Sequence, residues 1–524
     1  MVLSLSIMSE AKTLTLQFFN DKPKSLTKDF YISQFLDQGC SDVEAAKLLP
    51  QVKNLNPKLF KKFAPHIDDM KRKAYCQKLK GKQFIGRSED CIQMGLSLYK
   101  ATKLNPTLLK KIRAQVSNNP ALSAQYLAIG SKKFDHLIKL PPKLLLETFN
   151  NVGGKFRKAH YDHPLSKGLI DQLSQEKSFN IMIEKVVRGE FPQLQKSLVD
   201  IDGISLSAES NFLLALNAIR YGQLSQAITY LNHSEAKAPF SFEKDKALFW
   251  KYLLTQDKTI LTLLTQSREI NLYTLYAFET LGEFPTNITS HIEPKVTGAS
   301  LINITDPFAW IALKKRVKSM KFPSYEAKKS WVLQYNTPQM EPHISRLLYR
   351  YKNNMHDYLM PYAEYLQNTP LTRKILIFAL ARQESHFIPT EVSYSYALGM
   401  MQFMPFVAKD IAKKKHIVTF QYEEMFKPKV AYQFANIHLD FLERSLSHPL
   451  FIAYAYNAGL GFTKRNILSK GYFKKGMYEP FWSLEMVPNA QARKYGKRVL
   501  CNYAIYAKLL GLDITLHTLL KTIK

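Results

Sequence analysis

The stretch "NFLLALNAIRYGQLSQAITYLN", residues 211–232, constrains the fold of this chain more than any other. Its apolar residues fall at 212, 216, 219 and 224, then at 227, 228 and 231. That spacing puts one apolar stripe on a 3.6-residue helix, with a break near Gly222 where a turn fits. Ala218, Gly222 and Ala227 are small, as close packing of two helices requires. The pattern predicts a helix–turn–helix unit.

Similar runs fill the chain up to about residue 300. "NPTLLKKIRAQVSNNPALSAQYLAIGSKKFDHLIKLPPKLLLETFNNV" alternates short amphipathic segments with Asn-Pro and Pro-Pro stops. No strict period emerges and strand signals are rare, so the fold class is all-α. The unit at 211–232 resembles one repeat of a tetratricopeptide-like solenoid. A chain of 524 residues is too long for one compact core. The reading divides it into an irregular superhelix of helix pairs over 12–300, a helical linker over 301–354 holding Trp310 and Trp331, and a separate domain over 355–524. Residues 1–11 read as the remnant of a signal peptide without its basic front region. No other run is long and apolar enough to span a bilayer.

The net charge of +30 calls for an anionic partner: nucleic acid, a membrane surface or an acidic cell-wall polymer. Its clusters, such as Lys413-Lys414-Lys415, are short, which also fits scattered solubilising charge. No zinc-finger or RNA-recognition signature supports a nucleic-acid partner. The four cysteines, Cys40, Cys76, Cys91 and Cys501, include no Cys-x-x-Cys pair, so a zinc ribbon or thioredoxin-like site is without support. Cys76 and Cys91 are placed to face each other across a helical hairpin. "GKQFIGRS", residues 81–88, imitates a phosphate loop but has Arg87 where lysine is needed. His386 lies beside Glu384 without His-Glu-x-x-His spacing and reads as a surface histidine or a neighbour of the site.

The chemistry concentrates around Glu384. Thr369-Pro370 starts a helix, with the threonine as cap and proline in the first turn. The helix must stop before Pro389, so Glu384 falls in its last turn. Carbonyl dipoles there disfavour a carboxylate, and apolar neighbours raise its pKa further. A carboxyl still protonated near neutral pH is a general acid. The segment "YALGMMQFMP", residues 396–405, supplies apolar walls through Met400, Met401, Phe403 and Met404. Gly399 permits close backbone approach, and Gln402 is the polar side chain positioned to bind substrate. "AYAYNAGLG", residues 453–461, adds Tyr456 and Asn457 as hydrogen-bonding groups, with Ala458-Gly459 leaving room for a ligand.

Taken in order, "ARQESHF", "ALGMMQFMP" and "AYNAGLG" resemble the catalytic domain of the soluble lytic transglycosylases, lysozyme-like enzymes that cleave peptidoglycan. The family pattern is Glu-Ser, then Gly-Leu-Met-Gln-(apolar)-Met-Pro, then Ala-Tyr-Asn-Ala-Gly. Met400 stands in place of its leucine, and Leu460 in place of the proline that usually follows. A late element, Glu-Thr-Arg-x-Tyr, corresponds to Gln491-Ala492-Arg493-Lys494-Tyr495, with Gln491 replacing the acid.

The resemblance implies a superhelix closed into a ring, a linker and a C-terminal lysozyme-like domain. It implies cleavage of the β-1,4 bond between N-acetylmuramic acid and N-acetylglucosamine in the periplasm, leaving 1,6-anhydromuramyl ends. Glu384 would be the catalytic acid and base. Ser393, Gly399, Met400, Met401, Gln402, Tyr456, Asn457, Ala458, Arg493 and Tyr495 would bind substrate. No cofactor or metal is implied. The partners implied are peptidoglycan strands and, beyond them, proteins of cell-wall synthesis or division. Two alternatives compete: a hydrolytic muramidase of the same fold, and a non-catalytic solenoid scaffold that binds the cell wall. A two-carboxylate glycosidase needs a second acid. Only Glu391 is acidic between Glu384 and Asp410, and none lies between Arg444 and Tyr478, which suits a single-acid mechanism.

Overall fold

The computed structural model describes residues 13–296, 300–349 and 354–523. The segment read as a signal-peptide remnant lies outside the described residues. The chain is all-α, apart from a two-residue parallel ladder pairing Ile288–Thr289 with His356–Asp357. It separates into two compact units. One holds residues 68–269; the other joins residues 13–67 to residues from 270 onward.

In the first unit, helices follow one another at short intervals. The 211–232 pattern resolves into helices Ala208–Arg220 and Leu224–Lys237. Phe212, Leu216, Ala218, Ala227 and Leu231 are buried between them and their neighbours. Gly222 is not a packing contact; it sits exposed in the turn at φ +74°, a conformation that favours glycine. The Asn-Pro pairs begin helices rather than stop them. Asn105 and Asn119 accept hydrogen bonds from the main-chain N–H of Leu108 and Leu122, and Pro106 and Pro120 occupy the first turn. Proline suits the first turn because it carries no N–H where the helix offers no acceptor, and the asparagine oxygen accepts from an N–H further in. Cys76 and Cys91 form a disulfide between helices Asp68–Lys78 and Glu89–Gly95. No strand precedes residues 81–88.

In the second unit, the connector helices Pro307–Ser319, Tyr325–Leu333 and Glu341–Leu348 enclose a core of Trp310, Leu313, Val332 and Ile344. Ile388 completes that core, so the connector packs on the segment just past Glu384. The Leu272–Thr280 helix holds the C-terminal helix: Glu279 accepts from the N–H of Leu516 at 2.8 Å and of His517 at 2.9 Å. Near the N-terminus, Asn56 donates to the carbonyl of Tyr394 at 2.9 Å.

Four helices frame the candidate site: Leu371–Ser385, Pro428–Glu443, Pro449–Ala458 and Ala490–Leu509. The last two cross at Gly496, where a Cβ would lie 2.2 Å from the Tyr454 ring. Behind them lies a buried ion pair. Lys497 donates to Glu485 at 2.7 and 2.8 Å and to the Tyr273 hydroxyl at 2.9 Å, and that hydroxyl also bonds Glu485.

Candidate active site

The Leu371–Ser385 helix runs through the core, with Ile375 to Ala381 all buried. Its N-cap is Pro370. Thr369 does not cap it; the threonine hydroxyl instead accepts a long 3.4 Å bond from Asn436. The helix ends at His386, whose N–H returns to the carbonyls of Ala381 and Arg382. His386 and Phe387 both have positive φ, 52° and 63°, so the chain turns sharply away from the helix axis. Glu384 is left in the final turn, as its spacing predicts.

Burial pushes the Glu384 carboxyl up to about 7. A 2.7 Å hydrogen bond from the Tyr495 hydroxyl acts in the opposite sense by stabilising the charged form. No carboxylate is among the groups that shift it. Tyr495 is buried and its own phenol is raised well above the usual value, first by burial and then by the charge of Glu384. It therefore remains a donor at any working pH. Tyr456 is raised in the same way and points its hydroxyl at the carbonyl of Met401, 2.8 Å away.

The loop before Pro405 is built by its own backbone. Val392 and Phe403 each bridge to Leu398. Gly399 has φ +78°, and a Cβ there would stand 2.0 Å from the carbonyl oxygen of Met425. Ser393 accepts from the N–H of Ala397 at 2.9 Å and closes the turn. Gln402, at φ +51°, donates its amide to the carbonyls of Gly399 at 2.8 Å and Glu391 at 3.1 Å. Ser385, next to Glu384, donates to the carbonyl of Met400 at 2.8 Å and ties this loop to the Leu371–Ser385 helix.

This geometry corrects several assignments. Met400 and Met401 have no exposed surface, so their side chains offer nothing for a sugar to touch. They are core, and their carbonyls position Ser385 and Tyr456. Arg493 is buried too, its guanidinium donating to the carbonyl of Val487 at 2.6 Å. It pins the turn that leads into the Ala490–Leu509 helix. Gln402 holds the loop with its amide nitrogen. Tyr456, Asn457 and Ala458 lie half-buried at the end of the Pro449–Ala458 helix, which Gly459 terminates at φ +91°.

Arg382 and His438 escaped the sequence reading. Arg382 donates to Asn502 at 2.7 Å and to the carbonyl of Asp357 at 2.9 Å, with its guanidinium 3.7 Å from the centre of the Tyr358 ring. Its position two residues before Glu384 was the available signal. Burial, followed by Arg382, Arg346 and Arg498, pushes His386 down to about 3, so it stays neutral beside the acid. Tyr456 is flanked by the rings of Phe403 at 6.1 Å and His438 at 5.5 Å. Among the described residues, no group of three or more His, Cys, Asp or Glu side chains could hold a metal ion.

Residues 361–478 match the family described as Transglycosylase SLT domain. The chain carries an SLT domain. Glu384, the Gly399 loop and Tyr456 to Ala458 lie within the matched span; Tyr495 and Arg493 lie past its end, on the helix that completes the site. A curated relative from Haemophilus influenzae, named "Putative soluble lytic murein transglycosylase", is 35% identical over 103 residues, which are 19% of this chain and 17% of the relative. The chain thus matches about a sixth of that relative's length. Two solved structures share the fold over nearly the whole chain. The complex of a 70-kDa soluble lytic transglycosylase with bulgecin A covers 95% of this chain and 83% of its own, with TM-score 0.50 and 17% identity. An inactive mutant of the lytic transglycosylase Slt from Pseudomonas aeruginosa covers 94% and 89%, with TM-score 0.51 and 15% identity. The SLT domain therefore sits in a chain whose all-α fold extends well beyond it.

Proposed function

We propose that the chain is a lytic transglycosylase that cleaves the β-1,4 bond between N-acetylmuramic acid and N-acetylglucosamine in peptidoglycan and leaves 1,6-anhydromuramyl ends. The observation that carries this reading is Glu384: a carboxyl raised to about 7, held by one tyrosine, with no second carboxylate acting on it. Protonated, it gives its proton to the glycosidic oxygen. The bond from the muramyl anomeric carbon to that oxygen breaks, and its electron pair leaves with the N-acetylglucosamine. Glu384, now ionised, takes the proton of the muramyl 6-hydroxyl. That oxygen bonds to the anomeric carbon. Atoms balance with no water consumed, and Glu384 ends as it began.

The match of residues 361–478 to the SLT domain supports the reaction class, and the name of the Haemophilus relative supports murein as substrate. The substrate places the work in the periplasm. The Cys76–Cys91 disulfide suits such an oxidising compartment, and no described helix is long and apolar enough to cross a membrane. The basic surface complements the carboxylates of peptidoglycan.

Mass analysis of sacculi digested with wild type and with Glu384→Gln tests the proposal. Wild type should release fragments one water lighter than reducing-end products, and the variant should release none. Reducing ends instead would mean hydrolysis by a muramidase. Equal cleavage by both proteins would remove Glu384 from the chemistry, and no cleavage by either would leave only the scaffold reading.

A further inference from the structure

Away from Glu384, basic charge and exposed apolar groups meet along the Pro405–Lys414 helix and just past its end. Phe406, Lys409 and Lys413 fall at i, i+3 and i+7, so they share one helix face. Residues 413–419, "KKKHIVT", are all exposed. Val418 is 95% exposed, Phe406 68% and Ile417 40%. Lys409, Lys413, His416, Ile417 and Val418 also rim a shallow cavity of about 580 Å3.

The tip has a fixed shape. His416, at φ +54°, donates its N–H to the carbonyl of Lys413 at 3.1 Å, and Ile417 donates to that of Ala412 at 2.9 Å. These two bonds close the helix end, and an apolar residue at 417 suits that closure. Val418 has no part in it. Lysines in the last turn suit the negative end of the helix, but Lys409 lies before that turn. Asp410 is the acid of this helix, and it bonds Lys414 at 2.6 Å. Glu424 pairs with Lys427 at 2.7 Å, and Glu423 bonds Tyr31. Lys409, Lys413 and Lys415 have no carboxylate partner among the described residues.

Ammonium groups without partners attract an anionic surface. A valine and a phenylalanine that project into water need a medium they can enter, which the headgroup layer of a bilayer provides. We propose that this face docks on an anionic phospholipid surface. Lys409, Lys413 and Lys415 would meet the phosphates, while Phe406, Ile417 and Val418 enter the headgroup layer. Charge complementarity and the projecting apolar groups together select this occupant. The helix starts where the Gly399 loop ends, so docking would hold the domain that carries Glu384 at the bilayer surface.

Sedimentation of the full chain with phosphatidylcholine vesicles, with and without phosphatidylglycerol, tests the proposal. Wild type should bind the mixed vesicles, come off them as salt rises, and ignore pure phosphatidylcholine. Lys409→Gln/Lys413→Gln/Lys415→Gln should bind the mixed vesicles about a hundredfold more weakly, at about fivefold per lysine. Ile417→Ser/Val418→Ser should bind them about tenfold more weakly and keep the salt dependence of wild type. All the substituted side chains are exposed, so both variants should unfold thermally as wild type does. Absence of binding by wild type would overturn the proposal. Equal binding by wild type and the lysine variant would trace the attraction to charge spread over the chain, and would overturn it too. A soluble polyglutamate that binds wild type and weakens as much in the serine variant would assign the face to an acidic protein segment instead of lipid.

Discussion

The Tyr495 hydroxyl donates a 2.7 Å hydrogen bond to Glu384 from a helix 111 residues further along the chain. Because the bond favours the ionised carboxylate, it holds the pKa of Glu384 below what burial alone would give. Removing it in Tyr495→Phe should move the basic limb of the pH profile of kcat/KM upward by about one unit. A pH–rate series on both proteins checks this. An unmoved or lowered limb would mean that another group governs it.

The same carboxyl makes stability depend on pH. Its ordinary value is 4.5 and its folded value is about 7. Between those values the folded state binds a proton that the unfolded state has released, so stability falls as pH rises through that window. Glu384→Gln has no charge to desolvate. It should be more stable than wild type by about 1–3 kcal/mol at pH 8 and no more stable at pH 4, as read by urea unfolding.

Gly399 cannot carry a side chain. Its φ is +78°, and an added Cβ would meet backbone, the Met425 carbonyl, at 2.0 Å. Gly399→Ala should destabilise the chain by more than about 2 kcal/mol and displace the loop that bonds Ser385 and Tyr456. Thermal unfolding together with glycan cleavage by the variant measures both effects.

The Lys497–Glu485 pair is almost wholly buried, with side-chain exposures of 3% and 2%. Lys497→Met would leave a buried carboxylate without its cation and should cost about 3–5 kcal/mol. Lys497→Met/Glu485→Leu should recover much of that loss, because it removes both charges. Denaturant unfolding of the three proteins at neutral pH distinguishes a matched pair from two independent residues.

Local physics made the helix that carries Glu384 legible in the sequence. Pro370 and Pro389 bracket it, and its apolar run fixes how deep its last turn lies. The all-α class followed as directly from helical spacing at 211–232. Burial was harder to judge from sequence. Met400 and Met401 read equally well as a cleft wall or as core, and only tertiary packing decides for core. Asn105-Pro106 has a break on one side and a start on the other, and a sequence does not say which matters. Pairings across more than a hundred residues left no local trace: Tyr495 with Glu384, Arg382 with Asn502, Tyr273 with Glu485.

The solitary character of Glu384 has a consequence for turnover. In the proposed reaction the proton lent to the departing sugar is replaced by one from the same substrate, before anything leaves the cleft. The catalyst is thereby recharged from within, and its pace has no reason to follow the buffering power of the fluid around it.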